Sequence, residues 1–288
     1  MTAFSVNIRK RVFNCRQCGV GGDAIALAMH VKGCSFAEAV GELTASRWRP
    51  ARAASFARAA TAIKAADGHA DDAERALRSA KKIISQVAPL IGTPGEAYLR
   101  DIRKIDVATI GDILARTDAI GWHPAVYFNE PGHPLHGQKL GCIIGVMTDA
   151  ATAQPTGAIS RTYIAPDLTK IGKAKTLGPM GIVRLSRDDE VLEGLFLAEG
   201  LETALAGMAH FDLRPMWSTG SSGLMASFPV LSGIEALTVM VDHDRNGAGE
   251  RAARELEARW LAAGREVKLF QPDEPGDLND VVIKRQLQ

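Results

Sequence analysis

No run of roughly 20 uninterrupted apolar residues occurs in the chain, so no membrane-crossing helix is expected. The N-terminus MTAFSVNIRKRVFNC lacks the apolar core of a secretory signal, which makes the cytoplasm the expected address. Cysteine is scarce: four in 288 residues cannot form a disulfide scaffold, and in a reducing compartment they read as metal ligands or buried thiols. Residues 1–12 contain neither Cys nor His. No GxxxxGK[ST] loop is present and no repeat with a period of about 20 to 50 residues, which excludes a fused P-loop motor and a solenoid.

What is present is apolar enough, at 46%, to bury a core of one large domain or two ordinary ones. The formal charge of +1 hides an asymmetry. Between residues 9 and 64, Arg9, Lys10, Arg11, Arg16, Lys32, Arg47, Arg49, Arg52, Arg58 and Lys64 face only Asp23, Glu38 and Glu42, whereas the last hundred residues are acidic. A basic half suits a polyanion and an acidic half suits a metal, a distribution that fits a nucleic-acid enzyme and equally fits solvated charged faces.

Along the chain, FNCRQCGVGGD reads as a hairpin fragment, followed by a helical pattern from Asp23 to Leu43 that breaks near Gly33. An Ala/Arg-rich run over 44–69 reads as a linker; its Trp48 and Phe56 could stack on bases but are more simply incidental. A second helix is expected from Asp71 to Val87, stopped by Pro89, Gly92, Pro94 and Gly95, and a short one near Ala108 to Ala115. Strand-like runs cover Leu140 to Met147 and Gly157 to Ile164. Then apolar runs at Leu195 to Ala198, Met216 to Trp217, Ala236 to Val241 and Val267 to Phe270 alternate with helical patterns, which implies a parallel sheet with α/β connections.

In such a sheet ligands bind beyond the carboxyl ends of the strands. Acids stand at three of these places: Glu199 after the first run, Asp242 and Asp244 after the third, and Asp277 and Asp280 beyond the fourth. Two carboxylates about 4 Å apart repel by roughly 4 kcal/mol at an effective dielectric of 20, so a shared edge calls for a cation between them. Oxygen-only ligands suit Mg²⁺ or Mn²⁺. A single D-x-D can also be a turn or a helix cap; three acidic strand ends make that explanation weaker.

The segments LFLAEGLETALA, WSTGSS, LTVMVDHDRNGAGERAARELEARWLAAGREVKLFQP and GDLNDVV together resemble the Toprim domain of DnaG-type primases, topoisomerases and some nucleases, in the form found in phages and mobile elements. The resemblance implies an α/β fold: a Toprim (Rossmann-like parallel sheet) C-terminal domain over 191–288, preceded by a mixed α/β primase-core subdomain over 70–190. By the same resemblance Glu199, Asp242 and Asp244 are catalytic and hold Mg²⁺, with Asp277 and Asp280 as further metal positions. Gly200 and Gly247 let the backbone pass close to the site, and Ser218, Thr219 and Gly220 form a small-residue loop beneath it. The stretch LGCIIGVMTDAATAQPTGAISRTYIAPDLTKIGKAKTLGP is similar to the segment before Toprim in primases, which implies that Arg161, Lys173 and Lys175 line a template or nucleotide groove.

FNCRQCGVGGDAIALAMHVKGCSFAEAVGEL resembles the second half of the primase zinc ribbon, over a remnant spanning 1–43. Only Cys15 and Cys18 stand in matching places, so either the sequence begins inside a longer ancestor's pattern or the metal has been lost. A structural zinc contributes on the order of 10 kcal/mol, so half a site is expected to leave the segment loosely ordered. His30 and Cys34 could in principle complete the site, although Cys34 falls at a helix-packing position and reads as a buried thiol. The activity implied is primer synthesis from nucleotides on single-stranded DNA, with a separate replicative helicase as a further partner. The rivals are a Toprim nuclease and a non-catalytic binding module. A topoisomerase is excluded by length and because no tyrosine follows Tyr163.

Overall fold

Three sheets organise the chain in the computed structural model, which describes residues 4–7, 12–35, 38–39, 69–243, 247–272, 276 and 278–286. Asp244, Asp277 and, but for His69, the expected linker lie outside the described residues. The N-terminal sheet is antiparallel, β1 (Phe4–Asn7), β2 (Val12–Cys15) and β3 (Val20–Gly22). Helix α1 (Ala24–Lys32) follows; Asp23 caps it by accepting from the amides of Ile25 and Ala26, and Gly33 ends it at φ +63°.

Helix α2 (His69–Ile84) packs its Ala80 against a four-stranded antiparallel meander. Between them run a short helix α3 (Pro94–Ala97), capped by Thr93, and α4 (Gly111–Ala115). The meander is β4 (Ile120–Tyr127), β5 (Lys139–Thr148), β6 (Pro155–Ile164) and β7 (Lys170–Leu177) in sequence order. Strand alternation gives it two working faces. Cys142, Ile144, Ile159 and Tyr163 face α2, whereas Ile143, Met147, Ala158 and Ile164 join the core shared with the C-terminal domain.

The third sheet has the order β12-β11-β9-β10-β8, with β8 (Val183–Arg184), β9 (Gly194–Ala198), β10 (Met216–Ser218), β11 (Ala236–Met240) and β12 (Glu266–Phe270). All strand pairs are parallel except β8 with β10. Strand β8 belongs by sequence to the preceding segment, and an isolated bridge between Thr148 and Ile182 carries the meander's backbone pairing into it. Helices α5 (Leu201–Phe211) and α8 (Leu278–Gln286) cover one face, α6 (Ser222–Ser227) and α7 (Ala248–Ala262) the other. On the α7 side Leu195, Leu197, Trp217 and Val239 pack with Leu256 and Trp260; on the α5 side Ala198, Met216 and Met240 pack with Leu205, Met208 and Leu278.

Both faces of the C-terminal sheet are therefore covered, as near-continuous apolar strands require. The α5-side cluster runs on through Tyr98, Leu99, Ile105, Ile113 and Trp122, so the meander and the C-terminal sheet share one apolar core. No described helix is long and apolar enough to cross a membrane.

Candidate metal and phosphate site

The chain leaves β9 to form β10 on one side, then crosses back to form β11 on the other side of β9. Connections thus diverge between β9 and β11, and the crevice beyond their carboxyl ends is the ligand position such sheets favour. Ala198 is level with Met240 and with Ser218, and Met240 is level with Phe270. Glu199 and Asp242 consequently leave the sheet at the same edge, one and two residues beyond paired positions.

Local bonds fix the backbone there. Glu199's carbonyl accepts from the amide of Gly220 at 2.7 Å and from the Ser218 hydroxyl at 3.0 Å, and Thr219's amide donates to Ala198's carbonyl at 2.9 Å. The small-residue loop noted in the sequence is thus a clamp on the Glu199 backbone. Asp242's Oδ1 accepts from the Thr203 hydroxyl at 3.1 Å, in the first turn of α5, where the helix N-terminus favours a negative charge. A Cβ at Gly200 would approach Thr203 Oγ1 to 3.3 Å and Asp242 Oδ2 to 3.9 Å, so the glycine clears room beside the carboxylate.

Beyond β11, His243 pairs its backbone with Gly276, and its ring Nδ1 lies 2.9 Å from the Pro272 carbonyl, to which it donates. This ties the end of β11 to the loop after β12. Gly276 has φ +138°, and a Cβ there would come within 2.7 Å of Asp280 Oδ2. Asp280 lies 3.5 Å from Arg103.

A cavity of about 140 Å³ opens at this edge, lined by Ser160, Thr162 and Lys170 of the meander and by Glu202, Thr203 and Asp242 of the C-terminal domain. At about 30 Å³ per water it holds roughly four or five waters, enough for a hydrated ion or a phosphoryl group. Its organiser is Glu202, 9% exposed. Its Oε1 accepts from Tyr98 Oη at 3.1 Å and from Lys170 Nζ at 2.7 Å, and its Oε2 pairs with Arg103 at 2.8 Å. Sequence reasoning missed Glu202, Lys170, Arg103 and Tyr98; the available signal was an acid three residues after Glu199, on a helical stretch that is apolar but for Thr203 and His210.

The expected basic groove is arranged differently. Ser160 and Thr162 point to the cavity, so strand alternation sends Arg161 to the α2 face. There Arg161 donates to Tyr163 Oη at 2.9 Å and to Thr176's carbonyl, while its cross-strand neighbour Lys175 pairs with Glu130 at 2.6 Å above the Phe128 ring. Lys173 is exposed. The cations at the acid edge are instead Lys170 and Arg103.

Cys15 and Cys18 lie at the N-terminal sheet with their sulfurs 3.3 Å apart. In this segment β1 to β3 and α1 are formed, and Arg16, 5% exposed, docks it on the C-terminal domain by donating to the Val191 carbonyl at 2.6 Å.

Comparison with known proteins places these observations. A family model of the Toprim domain matches residues 194–286, one of the CHC2 zinc finger matches residues 1–50, and one of a domain of unknown function (DUF7146) matches residues 74–181. No curated protein matches the chain in sequence. Among solved structures, the zinc-binding and RNA polymerase domains of the Aquifex aeolicus primase align at 16% identity and TM-score 0.46, over 99% of this chain and 73% of that one. The primase fragment of the bacteriophage T7 primase-helicase protein aligns at 15% identity and TM-score 0.42, over 69% of this chain and 76% of that one. The chain thus carries a C-terminal segment matched by the Toprim domain and an N-terminal segment matched by the CHC2 zinc finger.

Proposed function

We propose that the protein is a Mg²⁺-dependent nucleotidyltransferase that makes RNA primers on single-stranded DNA, in phage or mobile-element replication alongside a separate helicase. The observation that carries this reading is that Glu199 and Asp242 follow the carboxyl ends of the adjacent strands β9 and β11, with Asp242 lining a cavity that the meander supplies with Lys170. The donor set fits a hard divalent cation: carboxylate oxygens, hydroxyls and space cleared by Gly200, with no sulfur or imidazole lining the cavity among the described residues. Glu199 and Asp242 would hold the ion, joined by Asp244, which lies outside the described residues. Bound there, Mg²⁺ would neutralise phosphate charge and activate an attacking oxygen.

The protein's own groups account for the remaining steps. Thr203 orients Asp242 by donating to one of its oxygens. Lys170 offers its ammonium to incoming phosphates, and Arg103 backs it through the shared Glu202. The 3′ hydroxyl of the growing RNA attacks the α-phosphorus, pyrophosphate leaves, and the hydroxyl proton passes to a base at the acid edge, for which Glu199 is the candidate.

The test is primer synthesis with labelled ribonucleotides on single-stranded DNA. Asp242→Ala should lose at least about 100-fold in rate while retaining its fold by circular dichroism. Unchanged synthesis by that variant would remove the site. Cleavage of labelled strands without synthesis would make the protein a nuclease, and salt-sensitive binding without turnover would make it a binding module.

A further inference from the structure

We infer that Cys15, Cys18 and His30 hold one zinc ion, with α1 supplying the third ligand, and that the ion clamps the Arg16-bearing turn onto the C-terminal domain. Among the described residues the donor that joins the Cys-x2-Cys knuckle lies downstream of it, on α1.

The geometry is local and specific. Cys15 ends β2 and is buried; Gly19, at φ +68°, returns its amide to the Cys15 carbonyl at 3.0 Å and closes the turn that presents Cys18. The sulfurs lie 3.3 Å apart, far beyond a disulfide bond of about 2.05 Å. His30 lies on α1 with its ring stacked on Phe13 at 5.8 Å, and the ligand atoms of all three residues lie within 4.8 Å of one another. Tetrahedral zinc with bonds of about 2.3 Å to sulfur and about 2.0 Å to nitrogen separates its ligands by roughly 3.5–3.8 Å, so a small closure of the imidazole completes the site. Two thiolates and an imidazole select zinc over magnesium. Cys34 is not the partner, because its sulfur lies 3.7 Å from the Ala28 carbonyl of its own helix region. Among the described residues these three form the metal-ligating cluster, which leaves a fourth position to water.

The turn between the cysteines is also the docking point. Arg16 reaches the Val191 carbonyl at 2.6 Å and the Asp188 carbonyl at 3.4 Å, and its guanidinium lies 3.7 Å from the Asp188 carboxylate, which Arg184 also binds. Asn14 donates to the Ser232 carbonyl at 3.0 Å. Burying a guanidinium is costly unless its position is enforced, and a metal closing the turn on both sides of Arg16 enforces it.

The test uses the full chain, and its readouts do not depend on polymerisation. Zinc content and cobalt-substituted spectra are measured for the wild type, Cys18→Ser, His30→Ala, His30→Cys and Cys34→Ser. The wild type and Cys34→Ser should carry one equivalent. Cys18→Ser and His30→Ala should lose affinity by more than about 100-fold, since even indirect partners of zinc cost that much. His30→Cys should restore binding with a stronger thiolate-to-cobalt band, which separates ligation from misfolding. Chelation should speed amide exchange over residues 12–22 and leave 194–241 unchanged. No zinc in the wild type, full zinc in His30→Ala, or zinc lost in Cys34→Ser would overturn the ligand set. Exchange at 12–22 indifferent to chelation would overturn the clamp.

Discussion

Glu202 stands one helical turn after Glu199, and the two acids do different work. Glu199 leaves the sheet edge, while Glu202 is buried under Tyr98, Lys170 and Arg103 and holds the meander's cation at the C-terminal domain's edge. Removing one partner of a buried ion pair typically costs about 3 kcal/mol or more, so Glu202→Gln should lower the unfolding free energy from urea titration by that amount and weaken nucleotide binding. His123 sets a second expectation. Its Nδ1 accepts the Ala125 amide, so Nε2 donates to Gln86, and burial holds its pKa below the ordinary imidazole value. Above about pH 6.5 the imidazole is neutral in both folded and unfolded chains, and its contribution is whole. As pH falls below that, the unfolded chain protonates first and stability declines toward the lowered folded value. Unfolding titrations across this window should show the loss, and His123→Phe should flatten it. Glu199 and Asp242 were legible because each directly follows an apolar run, whereas the side taken by Arg161 was not: one residue of strand phase reverses a face, and β6 and β7 shift register between Arg161 and Tyr163.

Strands were readable where an apolar run marks them, β12 at the sheet's edge included, and obscure where lysines or a proline interrupt the pattern. The four parallel strands fall on the apolar runs read from the sequence to within a residue or two. β7, KIGKAKTL, carries the lysines that protect edge strands and shows no apolar stripe. β4 contains Pro124, which argues against a strand until its edge position and the irregular register between His123 and Val126 are seen. In α7, Ala252, Leu256 and Trp260 recur at helical spacing and are all buried. Trp260 stacks on Phe228 at 6.0 Å, and Phe228 meets Trp217 edge-on, so this column pins α6 and α7 to the sheet. Trp260→Ala should cost about 3–5 kcal/mol, measured by urea unfolding, with Trp260→Phe costing less.

At the scale of the molecule, the acid edge and its cations belong to different sheets, so the site exists only where the meander meets the parallel sheet. Sequence patterns located each sheet, but not the pairing of Thr148 with Ile182 that joins them or the common apolar cluster from Trp122 to Leu278. Long-range packing has no local signature. A cut after residue 190 follows the sequence boundary yet removes β8, which covers β10, and strips the core side of α5. The isolated piece 191–288 should therefore aggregate or melt far below the intact chain in calorimetry. An intact chain built this way should give one heat-absorption peak over residues 69–286, with equal calorimetric and van't Hoff enthalpies. The shared cluster thus makes assembly of the acid edge all-or-none: a population that has lost its middle sheet keeps no partly built cavity.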